Sequence, residues 1–196
     1  MTDQIISRRS LLVTGAVAAA SIAAPVAHAQ QLAATRECRD GDEPTMAETE
    51  GPFFRPNSPG RSDLRDQGLK GTPFEISGQV LSRGCKPLGQ ALIDLWHADS
   101  EGNYDNKGFR CRGHAFTDAE GKFRFLTIVP ALYPGRTRHF HVKVQARGGP
   151  LLTTQLYFPN EARNSQDGLF HRQLLMRVSD TESRKVGQFD FVLNQR

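Results

Sequence analysis

Between Trp96 and Val144 lie four of the chain's six histidines and two of its three tyrosines. His139 and His141 stand one residue apart in Arg136-Thr137-Arg138-His139-Phe140-His141-Val142-Lys143-Val144. On a strand that spacing puts both imidazoles on one face, with Phe140, Val142 and Val144 on the other. Tyr133 comes six residues earlier, across a Pro134-Gly135 turn, and Tyr104 sits in a loop flanked by Gly102 and Gly108. Two phenols and two imidazoles can hold one metal ion. A free tyrosine ionises near pH ~10, so coordination at neutral pH needs a strongly Lewis-acidic cation to displace the proton. Hard anionic oxygens favour a hard trivalent ion, and Fe(III) fits better than zinc, which prefers Cys and His. Each residue taken singly also has a structural reading: a half-buried aromatic with its hydroxyl satisfied, or a histidine facing water.

Those residues need a scaffold, and the chain spells one in short runs. Phe74–Leu81 alternates apolar and polar, Ala91–Trp96 is almost wholly apolar, and a short strand is expected at Gly113–Thr117. Thr117-Asp118-Ala119-Glu120-Gly121-Lys122 is a hairpin signal leading into Phe123, Phe125 and Ile128. Further strands are expected at His139–Val144, Thr153–Phe158 and Phe189–Leu193, and only Leu169–Val178 has any helical pattern. Short strands with Gly/Pro turns and no strand–helix alternation predict an all-β fold, an antiparallel β-sandwich, over residues 74–196. Residues 30–73 are polar and Gly/Pro-rich and read as an extended arm crossing the domain, with Phe53-Phe54 as its anchor.

The N-terminus reads as a targeting segment. Ser7-Arg8-Arg9-Ser10-Leu11-Leu12 is similar to a twin-arginine export motif, followed by an Ala/Val-rich run ending Ala27-His28-Ala29. Residues 1–29 are therefore expected to be a cleaved signal peptide, with a periplasmic or secreted mature chain starting at Gln30. A formal net charge of +4 without a long Lys/Arg block gives no footprint for nucleic acid. No stretch of the mature chain is apolar enough to span a bilayer. Cys38, Cys85 and Cys111 allow three disulfide pairings in an oxidising compartment, and none has the spacing of a zinc knuckle.

Taken in order, Thr49-Glu50-Gly51-Pro52-Phe53, Trp96-His97-Ala98-Asp99, Gly102-Asn103-Tyr104, Thr117-Asp118-Ala119-Glu120-Gly121, Ile128-Val129-Pro130-Ala131-Leu132-Tyr133, Arg136-x-x-His139-x-His141 and Thr153–Phe158 resemble the intradiol ring-cleavage dioxygenases. These are non-haem Fe(III) enzymes that open catechols between the two hydroxyls with O2. The resemblance implies Tyr104 and Tyr133 as equatorial and axial phenolates, His139 and His141 as equatorial and axial imidazoles, and Tyr133 as the ligand that leaves when substrate binds. It implies Arg136 and Gln155 as catalytic-site residues behind the ligands, Arg136 stabilising charge on the activated substrate. It also implies Cys38–Cys85 as the disulfide. The expected partners are a catecholic substrate, O2 and the export machinery, with a homo-oligomer left open. No nucleic acid is expected, and no membrane after cleavage. Thr137 and Arg138 depart from the family's common Pro and Ala; the charge added at Arg138 either bears on which substrate fits, where with the net positive charge it leans slightly toward an anionic ring, or simply faces solvent. The competing reading is a non-catalytic transthyretin-like β-sandwich binding module, which the turn motifs at Gly84–Ala91 and Thr117–Phe123 also fit. A zinc hydrolase is remote, because no acidic base adjoins the His-x-His pair.

Overall fold

The computed structural model describes residue 38, residues 43–65 and residues 68–195. The expected signal peptide and the first residues of the arm lie outside these. Among the described residues nine strands form two sheets: β1 Pro73–Ser82, β2 Leu92–Trp96, β3 Arg112–Phe116, β4 Lys122–Ile128, β5 His139–Gln145, β6 Leu152–Tyr157, β7 Arg177–Asp180, β8 Lys185–Gln188 and β9 Phe191–Leu193. One sheet runs β4-β1-β8-β7, with β9 also on β1, and the other runs β3-β2-β5-β6. No helix among the described residues is long and apolar enough to cross a membrane.

The sandwich forms because alternating strands each offer one apolar face. Phe74, Ile76 and Val80 of β1, Phe123 and Phe125 of β4, and Phe140, Val142 and Val144 of β5 meet in one core. Phe74, Phe140 and Phe158 pack ring against ring at 5.1–5.5 Å. Burying each such ring contributes about 1.5–3 kcal/mol. The second sheet is antiparallel throughout. In the first, β8 and β9 run parallel to β1. Side-chain alternation records which face a residue takes but not strand direction, so this departure from an all-antiparallel sandwich left no trace in the pattern.

The helical reading of Leu169–Val178 is corrected. The segment holds one 3-10 turn, Arg172–Leu174, and then enters β7. Leu174 and Met176 are buried and Val178 packs on the core. That spacing is the period of a strand, not of a helix. Cys38 and Cys85 form a disulfide, and Cys111 is buried.

The arm crosses the outer face of the second sheet. The Glu48 amide donates to the Thr153 carbonyl, the Thr154 hydroxyl to the Met46 carbonyl, and the Gln155 amide to the Thr49 carbonyl, at 2.7–3.0 Å. Farther on, Gly60 bridges His114, Asp63 bridges Leu126, and Leu64 enters the core. Polar residues on that outer face are thus covered by chain rather than left to water.

Candidate metal centre

Register places the chemistry. Arg112, Trp96, His141 and Gln155 are directly opposite one another across β3, β2, β5 and β6, and His139 is opposite Tyr157. Opposed residues in an antiparallel sheet share a face. The face of β5 opposite its core residues therefore carries both histidines, as the His-x-His spacing requires. They are buried, not facing water: His139 is 4% exposed and His141 3%. Trp96 lies flat on the His141 ring at 5.0 Å, and Phe54 of the arm packs on Trp96.

Three potential donors converge. The Tyr104 hydroxyl is 3.2 Å from His139 Nε2 and 3.1 Å from His141 Nε2, and the two Nε2 atoms are 3.1 Å apart. His139 Nδ1 faces the Thr137 carbonyl at 2.7 Å, so that nitrogen carries the proton and Nε2 presents a lone pair. His141 Nδ1 is buried with no hydrogen-bond partner among the described residues. Burial holds His139 down at about pH 4 and His141 well below the ordinary histidine range, so both imidazoles are neutral. Burial also pushes the Tyr104 phenol up, so only a cation would free its oxygen near neutral pH. Two donors each about 2.1 Å from one ion, and about 90–100° apart, lie about 3.0–3.2 Å from each other. The observed triangle fits a metal ion. Tyr133 stands beside it, its ring edge-on to Tyr104 at 5.7 Å. Phe53 of the arm stacks on Tyr104 at 4.3 Å and meets Tyr133 edge-on at 5.3 Å. Among the described residues no group of three or more His, Cys, Asp or Glu could hold a metal, so any ion here depends on the tyrosines.

Behind the donors runs a second network. Arg136 Nη2 donates to Gln155 Oε1 at 2.6 Å and lies 3.4 Å from the Tyr157 hydroxyl. Arg136 Nε donates to the Asp167 carboxylate at 2.9 and 3.1 Å. The Tyr157 hydroxyl donates to the Leu169 carbonyl at 2.6 Å. Burial pushes the Asp167 carboxyl up, but the Leu169 and Thr137 amides and Arg136 together hold it below the usual carboxylate range. Arg136 and Gln155 are thus brought together. Asp167 and Tyr157 were not anticipated as partners. Tyr157 could have been read from β6, because Gln155 and Tyr157 alternate onto one face. Asp167 lies two residues beyond the 3-10 turn Ala162–Ser165, where no period marks it.

Asp167→Asn is expected to lower kcat/KM by about 10–100-fold, because an outer partner is lost while the donors stay. An asparagine cannot both neutralise Arg136 and accept from the two amides. Steady-state kinetics beside thermal melting would check this, and unchanged kcat/KM would show that Arg136 needs no anchor.

The departures from the family pattern do not face the triangle. Thr137 is buried and its hydroxyl donates to Asn164. Arg138 Nε donates to Glu161 at 2.7 Å and its Nη1 to the Pro130 carbonyl. Glu161 thus pairs with the added charge.

A family model described as Dioxygenase matches residues 49–195. The beta chain of protocatechuate 3,4-dioxygenase from Burkholderia cepacia is 34% identical over 64% of this chain and 66% of its own length. Catechol 1,2-dioxygenase 2 from Acinetobacter lwoffii is 30% identical over 75% of this chain and 64% of its own. This chain therefore spans about two thirds of the length of these curated relatives. Among solved structures, the dioxygenase domain of a dioxygenase–carbohydrate-binding protein fusion from the cellulolytic bacterium Streptomyces sp. SirexAA-E is 53% identical. It superposes with a TM-score of 0.77 over 79% of this chain and 100% of that one. The 3-chlorocatechol 1,2-dioxygenase of Rhodococcus opacus 1CP superposes at 0.74 with 27% identity, over 78% and 73%. The sandwich, the ordered motifs and these relatives agree, and the binding-module reading falls away: the chain belongs to the intradiol ring-cleavage dioxygenases.

Proposed function

We propose that this protein opens a catecholic ring between its two hydroxyl-bearing carbons, taking up one O2 and giving a cis,cis-muconate-type diacid. The observation that carries the reading is the convergence of Tyr104 Oη, His139 Nε2 and His141 Nε2 at 3.1–3.2 Å in a member of this family. The family uses non-haem iron, and the donor set suits Fe(III) held by Tyr104, Tyr133, His139 and His141. When bound, the ferric ion supplies Lewis acidity that makes a chelated catecholate reactive toward O2.

The chain's own residues do the rest. Tyr133 sits on the loop of residues 130–135 outside the triangle and is only half-buried; ionised as a donor to the ion, its phenolate oxygen would be free to move aside and take a proton from a substrate hydroxyl. Arg136 is held by Asp167 and Gln155, which keeps its guanidinium fixed as negative charge builds on the ring. Phe53 and Trp96 shield the donors from water.

The test uses the wild-type protein. It should be red-brown from a phenolate-to-iron band, carry about one iron per chain, and consume one O2 per catechol. A panel of catechol, protocatechuate, hydroxyquinol and bulkier substituted catechols would rank the substrates. A colourless protein that stays inactive after ferric reconstitution would defeat the reading. Export with cleavage before Gln30 is part of the proposal. It is supported by the Ser7–Leu12 motif and by the Cys38–Cys85 disulfide, since disulfides persist in oxidising compartments. The intact mass of exported protein would check it, and full-length protein retained in the cytoplasm would refute it.

A further inference from the structure

Arg112 opens β3 directly opposite Trp96, which is itself opposite His141. Its side chain is among the largest fully buried ones, in a residue 2% exposed. Burying a guanidinium costs several kcal/mol unless good partners offset it. Arg112 makes no ion pair among the described residues. Its donors go to main-chain carbonyls instead: Nη1 to Phe53 at 2.6 Å and Nε to Asp105 at 3.1 Å. Nη2 is buried with no hydrogen-bond partner among the described residues. The two carbonyls are far apart in sequence but border the same phenol. Phe53 stacks on Tyr104 within 13° of parallel, and Asp105 follows Tyr104 in the chain. The Asp105 carboxylate accepts from the amides of Lys107, Gly108 and Arg110, which makes the loop beyond Tyr104 a rigid turn. A planar fork anchored on a strand can hold two such pieces at a set separation, and an ammonium cannot.

We propose that Arg112 is a positioning residue. By bridging the Phe53 and Asp105 carbonyls, it locks the arm and the Tyr104 loop together and so sets the Tyr104 oxygen over the two histidine nitrogens. The proposal rests on the reading of Tyr104, His139 and His141 as donors to iron. Arg112 touches neither donor nor substrate in this role. It acts through Tyr104, from the row of the sheet that also carries His141.

The experiment compares the full-length wild type with Arg112→Lys and Arg112→Met, each made metal-free and titrated with ferric ion. Trp96, the chain's only tryptophan, lies on His141, so quenching of its emission reports binding independently of turnover. Arg112→Lys keeps the charge and most of the stem, and is the variant best placed to fold. It should bind ferric ion at least tenfold more weakly, with a shifted phenolate-to-iron band and a cooperative melting transition retained. Arg112→Met should lose more. A residue serving the fold alone would lower the melting temperature and leave the affinity and band of the folded protein at wild-type values, and that result overturns the proposal. Failure of both variants to fold overturns it too. A wild type that takes up no iron shows no band at all. That outcome defeats the ferric reading itself and the proposal with it, and is told apart because the reference protein fails.

Discussion

Tyr104→Phe and His141→Ala should each lose iron, and with it the phenolate-to-iron band, and lower kcat/KM by more than about 100-fold, since outer partners alone are worth 10–100-fold and these are direct donors. Tyr104→Phe removes one atom, and the stack on Phe53 keeps the ring in place. What disappears is the oxygen 3.1–3.2 Å from both imidazole nitrogens, the donor that selects a hard trivalent ion. His141→Ala removes a nitrogen of the same triangle and the ring beneath Trp96, so it costs stability as well. Tyr157→Phe is the informative contrast. Its hydroxyl does not belong to the triangle; it donates to the Leu169 carbonyl and sits beside Gln155 and Arg136. That variant should keep iron and colour while losing about tenfold in kcat, by loosening the residues that hold Arg136. Iron content, the visible spectrum and oxygen uptake separate the three. Bleaching by Tyr157→Phe with colour kept in Tyr104→Phe would reverse the assignment.

The sequence exposed what depends on local period and order. His139 and His141 share a face because strands alternate, and the core residues between them announced the other face. Tyr104, Tyr133 and the Arg136-x-x-His139-x-His141 run were meaningful because they come in order, where each alone favoured an ordinary packed side chain. Hidden was whatever depends on register between distant strands. Arg112, Trp96, His141 and Gln155 form one row only once β3, β2, β5 and β6 have paired, and no spacing in the chain encodes that row. Asp167 was hidden for a related reason: it reaches Arg136 from a loop 31 residues later. The charge of Arg138 was visible, but Glu161, which neutralises it, could not be paired with it without the fold. At Leu169–Val178 a mixed apolar run was open to two periods, and packing of Leu174 and Met176 against the core selected the strand.

Acidification should destabilise the metal-free protein steeply between pH 6.5 and about 4. His97 is 1% exposed, with Nδ1 against the Ala98 carbonyl at 2.7 Å and Nε2 against the Thr127 hydroxyl at 2.6 Å. Burial lowers it to about 4, as it does His139, and holds His141 well below the ordinary range. In the unfolded chain all three titrate near ~6.5. Below that pH the unfolded chain takes up protons that the folded chain refuses. The stability these neutral histidines contribute is therefore complete above about 6.5 and is lost as pH falls toward the folded values. By pH 5 His97 and His139 each cost roughly 2 kcal/mol of stability, and His141 adds in the same direction, against a whole-domain stability of about 5–15 kcal/mol. Asp94, whose carboxyl burial pushes up, acts in the opposite direction but is a single group. Melting temperature followed from pH 8 to pH 5 should fall throughout the lower half of that range. His97→Gln should flatten the slope by about one proton while lowering stability at every pH. Loading with iron separates the contributions. Protons must then displace the ion from His139 and His141, which makes that part steeper, whereas the share due to His97 is unchanged. A melting temperature flat from pH 7 to 5 in the metal-free protein would mean that the three histidines titrate as if exposed, contrary to their burial.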